Sequence, residues 1–194
     1  MKLLDLPLRK LRLDPRCQAR AEFSEEYAAS LAEFLQAGVS LPPVLAMADS
    51  GVFWLADGFH RHRAHEIAGR KTMLAEVRPG TLRDAILAAV GSNKAHGLHR
   101  TNPDKRKSVL ILLTDPEWGL WENTRIARQA GVSEGLVRIL KEQLREATPP
   151  NNGTPSHNTT LPAVVEELAH YRKRPAQPFR AMSASEQRQA VQAE

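Results

Sequence analysis

Apolar and polar positions change their period along this chain, and the change divides it. Lys10-Leu11-Arg12-Leu13 alternates and then meets Asp14-Pro15, as a short strand does before a turn. Ser24 reads as an N-cap, with Glu25 and Glu26 in the first turn of a helix where the dipole favours negative charge. Tyr27, Leu31, Phe34 and Leu35 share its predicted apolar face, and Gly38 closes it. Val44 to Ala48 and Val52 to Ala56 read as strands joined through Asp49-Ser50-Gly51, which is hairpin chemistry. A helix through Arg63, Ala64, Ile67 and Ala68 follows, with Gly69 just past its end. Thr72 to Val77 reads as a third strand, Pro79-Gly80 as a turn, and Leu82 to Val90 as a helix. From residue 91 onward the period is helical only. Asn102 is the expected cap of a helix with Pro103 at N1 and Val109, Leu110, Leu112 and Leu113 apolar, and two further helices follow.

The pattern predicts an α+β fold: a small mixed sheet with helices packed on it, followed by an all-α part. The expected organisation is an α+β domain over 1–91, a helical domain over 92–147, and a flexible linker and tail over 148–194. Thr148 to Ser156 holds turn formers and no packing residues, Val164 to Tyr171 reads as one short helix, and the remainder is polar.

Composition narrows the class. The 194 residues are 42% hydrophobic and 25% charged, ordinary values for a folded soluble protein. No apolar run approaches the roughly 18 residues that span a bilayer, and the N-terminus lacks a signal-peptide pattern, so a cytoplasmic protein with no membrane partner is expected. The single cysteine, Cys17, excludes an intramolecular disulfide and a multi-cysteine zinc site. The net charge is +5. Residues 92–146 carry ten basic and seven acidic residues, the largest local surplus, as a phosphate-gathering surface or a solvated helix face would.

That surplus coincides with a helix-turn-helix frame over 123–142. Ile126 and Ala127 fall on the inner face of its first helix, Gly131 on the turn, Val132 beneath it, and Leu136, Val137 and Leu140 on the inner face of the second helix behind Ser133 as cap. A helical hairpin that binds nothing would need the same core. The glycine turn followed at once by Val132-Ser133 favours double-stranded DNA as partner. In this frame Ser133, Glu134, Gly135 and Arg138 lie nearest base edges, Arg138 suits guanine, Lys141 lies closer to phosphate, and Thr124, Arg125 and Arg128 suit backbone contacts. One such motif contacts few base pairs, so a homodimer is the geometric expectation.

A second candidate lies upstream. A strand that ends in Asp57-Gly58 and turns into a helix at His60-Arg61 puts backbone N–H groups and basic side chains at a helix N-terminus, where an anionic phosphate is favoured. Equally, Asp57 could cap the helix while His60, His62 and His65 are solvated. His60, His96 and His99 lack the i, i+4 spacing of a helical metal pair.

The segment 52–64, Val-Phe-Trp-Leu-Ala-Asp-Gly-Phe-His-Arg-His-Arg-Ala, resembles the strand and G-x-x-R-x-R-A box of the ParB/sulfiredoxin-like superfamily. Asp14 to Phe23 is similar to that family's first box, a proline followed by Gln-x-Arg, and Gly38 to Val44 to its glycine-to-proline entry into the next strand. Gly91 to Pro103 stands where ParB proteins carry a Glu-Asn-x-Gln-Arg box, and the helical part follows in the family's order, so the resemblance covers about residues 8–145. It implies a nucleotide pocket, for CTP or ATP with Mg²⁺, in a partition or regulatory protein that works with a partner ATPase. Carried over by position, Asp57, Gly58, His60, Arg61 and Arg63 attend the phosphates, Gln18 and Arg20 line the mouth, and Asn93 lies near the metal. Phe59 and Ser92 stand where the family's ParB form has glutamates, which removes hard oxygen ligands and argues against efficient hydrolysis. Phe59 also excludes the thiolate nucleophile of sulfiredoxin at this turn. An NTPase, small-molecule kinase or nuclease on the same fold is the competing reading, with Glu22 or Asp57 as its candidate base.

Overall fold

A computed structural model describes residues 2–92 and 99–147. Five strands form one mixed sheet: β1 (Lys2–Pro7), β2 (Leu11–Arg12), β3 (Val44–Asp49), β4 (Val52–Asp57) and β5 (Thr72–Pro79), in the order β1-β5-β3-β4-β2. β1 runs antiparallel to β5 and β3 to β4, while β3/β5 and β2/β4 are parallel. The helices are α1 (Glu25–Gln36), α2 (Phe59–Ile67), α3 (Leu82–Ser92), α4 (Asn102–Leu113), α5 (Asn123–Ala130) and α6 (Glu134–Ala147). The α+β class expected from periodicity is the observed one.

Period-two alternation along the strands gives the sheet two apolar faces. Val44, Ala46, Leu55, Met73, Ala75 and Val77 share one core with Leu6 and Leu11. Met47 and Ala56 belong to a larger core with Ala85, Ile86, Ala89 and Val90 of α3, and it continues into α4, α5 and α6 through Val109, Leu112, Ile126, Val137 and Leu140. A small third cluster, Ala32, Leu35 and Ala64, joins α1 to α2.

Four local expectations change. β1 carries no strand in the sequence reading, yet it pairs along its whole length with β5, from Lys2↔Val77 to Pro7↔Thr72. The strand expected over 10–13 contracts to Leu11–Arg12, because Leu8–Lys10 forms a 3-10 turn first. The buried face of α1 is Ala28, Ala32 and Leu35, whereas Phe34 is 53% exposed. The Ser24 cap is present, its hydroxyl accepting from Tyr27 N at 3.0 Å. At α4 the cap is Thr101 rather than Asn102. Its hydroxyl accepts from Asp104 N while the Asp104 carboxylate accepts from Thr101 N, a reciprocal box that Asn102 and Pro103 then follow as the first helical residues.

Candidate functional site

The sharp end of β4 builds the first site. Gly58 caps α2 at φ +104° with no side-chain cap, so the first turn of α2 keeps backbone N–H groups that no capping side chain satisfies. Only a glycine fits here: a Cβ would lie 2.4 Å from Val44 Cγ1. In front of the turn opens a cavity of about 710 Å³, lined among others by Gln18, Arg20, Asp57, Gly58, His60 and Arg61. The 17–20 segment, the α2 N-terminus, the 41–45 segment, β5 and the end of α3 meet around it.

Most of its basic side chains already have internal partners. Arg61 donates Nη2 to Asp57 Oδ2 at 2.8 Å and Nη1 to the carbonyls of Pro42 and Pro43 at 3.0 and 2.6 Å. Arg20 donates Nη1 to Asp104 Oδ2 at 3.1 Å and to the His99 carbonyl at 2.9 Å. Asp104 also accepts from Ala21 N at 2.7 Å, and Lys107 Nζ donates to the Arg20 carbonyl at 2.6 Å. Burial would raise the Asp104 carboxyl, but the Ala21 and Thr101 donors and the Arg20 guanidinium outweigh it and hold it below the usual carboxylate range. Gln18 Oε1 accepts from Arg20 N at 3.2 Å.

His60 lines the cavity, and its ring already has partners within the fold. Its ring stacks on Phe23 at 4.4 Å and 4°, meets Tyr27 edge-on at 5.4 Å, and accepts through Nε2 from Ser24 N at 3.2 Å. Burial, with Arg20 nearby, lowers its pKa, so the neutral ring with its proton on Nδ1 is the form that fits. His62, solvated in one of the two sequence readings, is 3% exposed, and its Nε2 lacks a hydrogen-bond partner among the described residues. Arg63 stands away from the cavity and pairs with Glu25 at 3.1 Å and Glu66 at 3.4 Å. Asn93, the expected metal-side residue, lies outside the described residues, as do His96 and the linker and tail of 148–194. Among the described residues no three His, Cys, Asp or Glu side chains form a metal-sized cluster. Glu76 and Arg78 of β5 also line the cavity, and sequence reasoning missed both.

The second site is the α5–α6 pair. Gly131 sits at φ +64° between the helices, and Ile126, Ala127, Ala130, Val137 and Leu140 are buried beneath it. The Ser133 hydroxyl accepts from Leu136 N at 3.4 Å. Thr124, Arg125, Arg128, Ser133, Glu134 and Arg138 are exposed, and Gly135 and Lys141 partly so. Arg125 lies over the Trp121 ring at 3.7 Å, and Lys141 Nζ donates to Asn123 Oδ1 at 3.4 Å. Arg100 ties this pair to α4, donating to the Ala130 carbonyl and the Ser108 hydroxyl, each at 2.6 Å.

Residues 2–94 match the model of the ParB N-terminal domain. Over those residues the chain is similar to that family. The matched residues include the sheet, the Gly58 turn and the cavity wall. The chain is 30% identical over 136 residues to the transcriptional regulator NovG of Streptomyces niveus, covering 70% of this chain and 41% of that protein. It therefore spans less than half the length of that curated relative. The C-terminally truncated chromosome-partitioning protein ParB from Caulobacter crescentus, crystallised with the centromeric parS site, is similar in fold: TM-score 0.51, 23% identity, covering 75% of this chain and 73% of that one. The same truncated protein complexed with CTP-γ-S gives a TM-score of 0.44 at 22% identity, over 74% of this chain and 79% of that one.

Proposed function

We propose that this chain is a ParB-like DNA-binding protein, acting in partition or transcriptional regulation, whose N-terminal cavity holds a nucleotide. The observation that carries the DNA reading is the exposed set Thr124, Arg125, Arg128, Ser133, Glu134 and Arg138 around the Gly131 turn. In this reading α6 enters the major groove, Arg138 and the α6 N-terminus face base edges, and Lys141 with the α5 residues faces phosphates. The name of the regulator NovG supports it, and the ParB crystallised on parS supports it at the level of fold. The working units are 1–91 for the nucleotide and 92–147 for DNA, in a homodimer that spans two half-sites, in the cytoplasm and alongside a partner ATPase in the partition case.

For the cavity, CTP or ATP is the proposed ligand. Its phosphates would meet the first-turn N–H groups of α2 and the Arg61 edge, with Asp57 already neutralised by Arg61. A volume of about 710 Å³ suits a ligand of that size. Mg²⁺ would be held chiefly by phosphate oxygens, as it is where few carboxylates are offered.

Fluorescence polarisation with duplex DNA over a salt series tests the main claim. Arg138→Ala is expected to relax sequence preference by about 1–3 kcal/mol, and Lys141→Ala to weaken all duplexes evenly and flatten the salt slope. Absence of binding to any duplex at low salt overturns it. Calorimetry with CTP and ATP, wild type against Arg61→Ala, tests the pocket.

A further inference from the structure

We propose that Glu76 is a specificity-determining residue of this cavity, reading the exocyclic amino group of a bound nucleobase; the proposal rests on the nucleotide reading above. Asp57 of β4, Leu45 of β3 and Glu76 of β5 form one cross-strand row, through the pairs Leu45↔Asp57 and Leu45↔Glu76. Partners in a row face the same side of a sheet, and all three residues line the cavity. Two strand spacings, about 10 Å, separate the ends of the row. That is comparable to the reach from the phosphates of a nucleotide to its base edge. With phosphate at the Gly58 turn beside Asp57, the base edge falls at Glu76. Leu45 lies between as apolar floor, and Ala88 and Ala89 of α3 also line the cavity.

The carboxylate is prepared for a donor. Arg78 donates Nε to Glu76 Oε1 at 2.6 Å, and its Nη2 lies 2.5 Å from the same oxygen. Oε2 has no hydrogen-bond partner among the described residues, although the side chain is only 19% exposed. A half-buried acceptor of this kind gains from an incoming N–H, and an ionised carboxylate can only accept. The amino groups of cytosine and adenine donate. A carbonyl at the same ring position, as in uracil or hypoxanthine, sets lone pair against lone pair and leaves both unpaired. Glu76 therefore selects amino-bearing bases over their keto counterparts.

The test is calorimetric binding of CTP against UTP and ATP against ITP to the full chain and to Glu76→Gln, with thermal melts as folding control. The wild type is expected to prefer the amino member by about tenfold or more in whichever pair binds. In Glu76→Gln the preference should fall to about threefold or less, with the keto nucleotide bound as well as before. If the melt shows that this substitution unfolds the chain, Glu76→Asp carries the test, expected to weaken the amino member alone. An unchanged preference overturns the assignment of Glu76 and leaves the nucleotide pocket standing, as does loss of both members in a folded variant. Failure of all four nucleotides to bind wild type overturns the pocket reading and this inference with it.

Discussion

The cavity and the α5–α6 pair both carry basic residues, but the fold uses them oppositely. At the cavity Arg20 and Arg61 are bound to Asp104 and Asp57, just as Arg63 outside it is bound to Glu25 and Glu66, and His60 is held in an aromatic stack. On α5 and α6, Arg125, Arg128 and Arg138 stand exposed at the surface. In the first region arginine is cement, and on the proposed reading an anion would be held by backbone N–H groups in a shape that only Gly58 permits. In the second the backbone is an ordinary helix pair, and on the proposed reading recognition would rest on exposed side chains. Substitutions should therefore cost stability in one region and affinity in the other.

The sharpest way to break this contrast is the buried Arg20–Asp104 pair, with side chains 9% and 5% exposed. Arg20→Ala strands a buried carboxylate and should cost about 3–5 kcal/mol in urea unfolding. A cost below about 1 kcal/mol would mean that Arg20 is available to a ligand after all. Gly58→Ala comes next. The contact with Val44 and the left-handed φ together predict a loss of about 2–3 kcal/mol, with nucleotide binding reduced wherever the variant still folds. Arg138→Ala is the converse case: unfolding should shift by less than about 0.5 kcal/mol while duplex preference drops.

A smaller effect concerns pH. Burial lowers the pKa of His62, so the unfolded chain takes up the proton more readily than the folded one. Stability should be full above the unfolded value near 6.5 and fall as pH drops from there through the folded value. The slope from this group is at most about 1.4 kcal/mol per pH unit. His62→Leu should flatten the profile in that window. His60, lowered for the same reason, contributes with the same sign. An unchanged profile in His62→Leu would leave the acid sensitivity to His60.

Much of the fold was legible because its signals are local. The Ser24 cap, the 49–51 hairpin, the glycine turns at 58 and 131 and the core of α5–α6 each need only a few neighbouring residues to be recognised. β1 was not legible, since Lys2-Leu3-Leu4-Asp5-Leu6-Pro7 becomes a strand only through pairing with residues 72–77. The apolar period of α1 included Phe34, but packing against α2 uses the small Ala32 with Leu35. The site was half legible. Gly58 and the α2 turn announce themselves, but the sequence places Arg61 and Arg63 alike, and only rotation around α2 sends one to Asp57 and the cavity and the other to Glu25 and Glu66.

What the sequence determined by itself is the order of elements after β1, the glycine turns at 58 and 131, and the α+β class, because period and turn chemistry are written in short windows. What only the tertiary structure decided is which charges are held in ion pairs and which stand at the surface. Arg20 meets Asp104 across 84 residues, and Glu76 shares a cavity with the Gly58 turn because β3 joins β4 to β5. Such pairings are set by the strand order and by the shared core of α3 with α4–α6, and no local pattern encodes either.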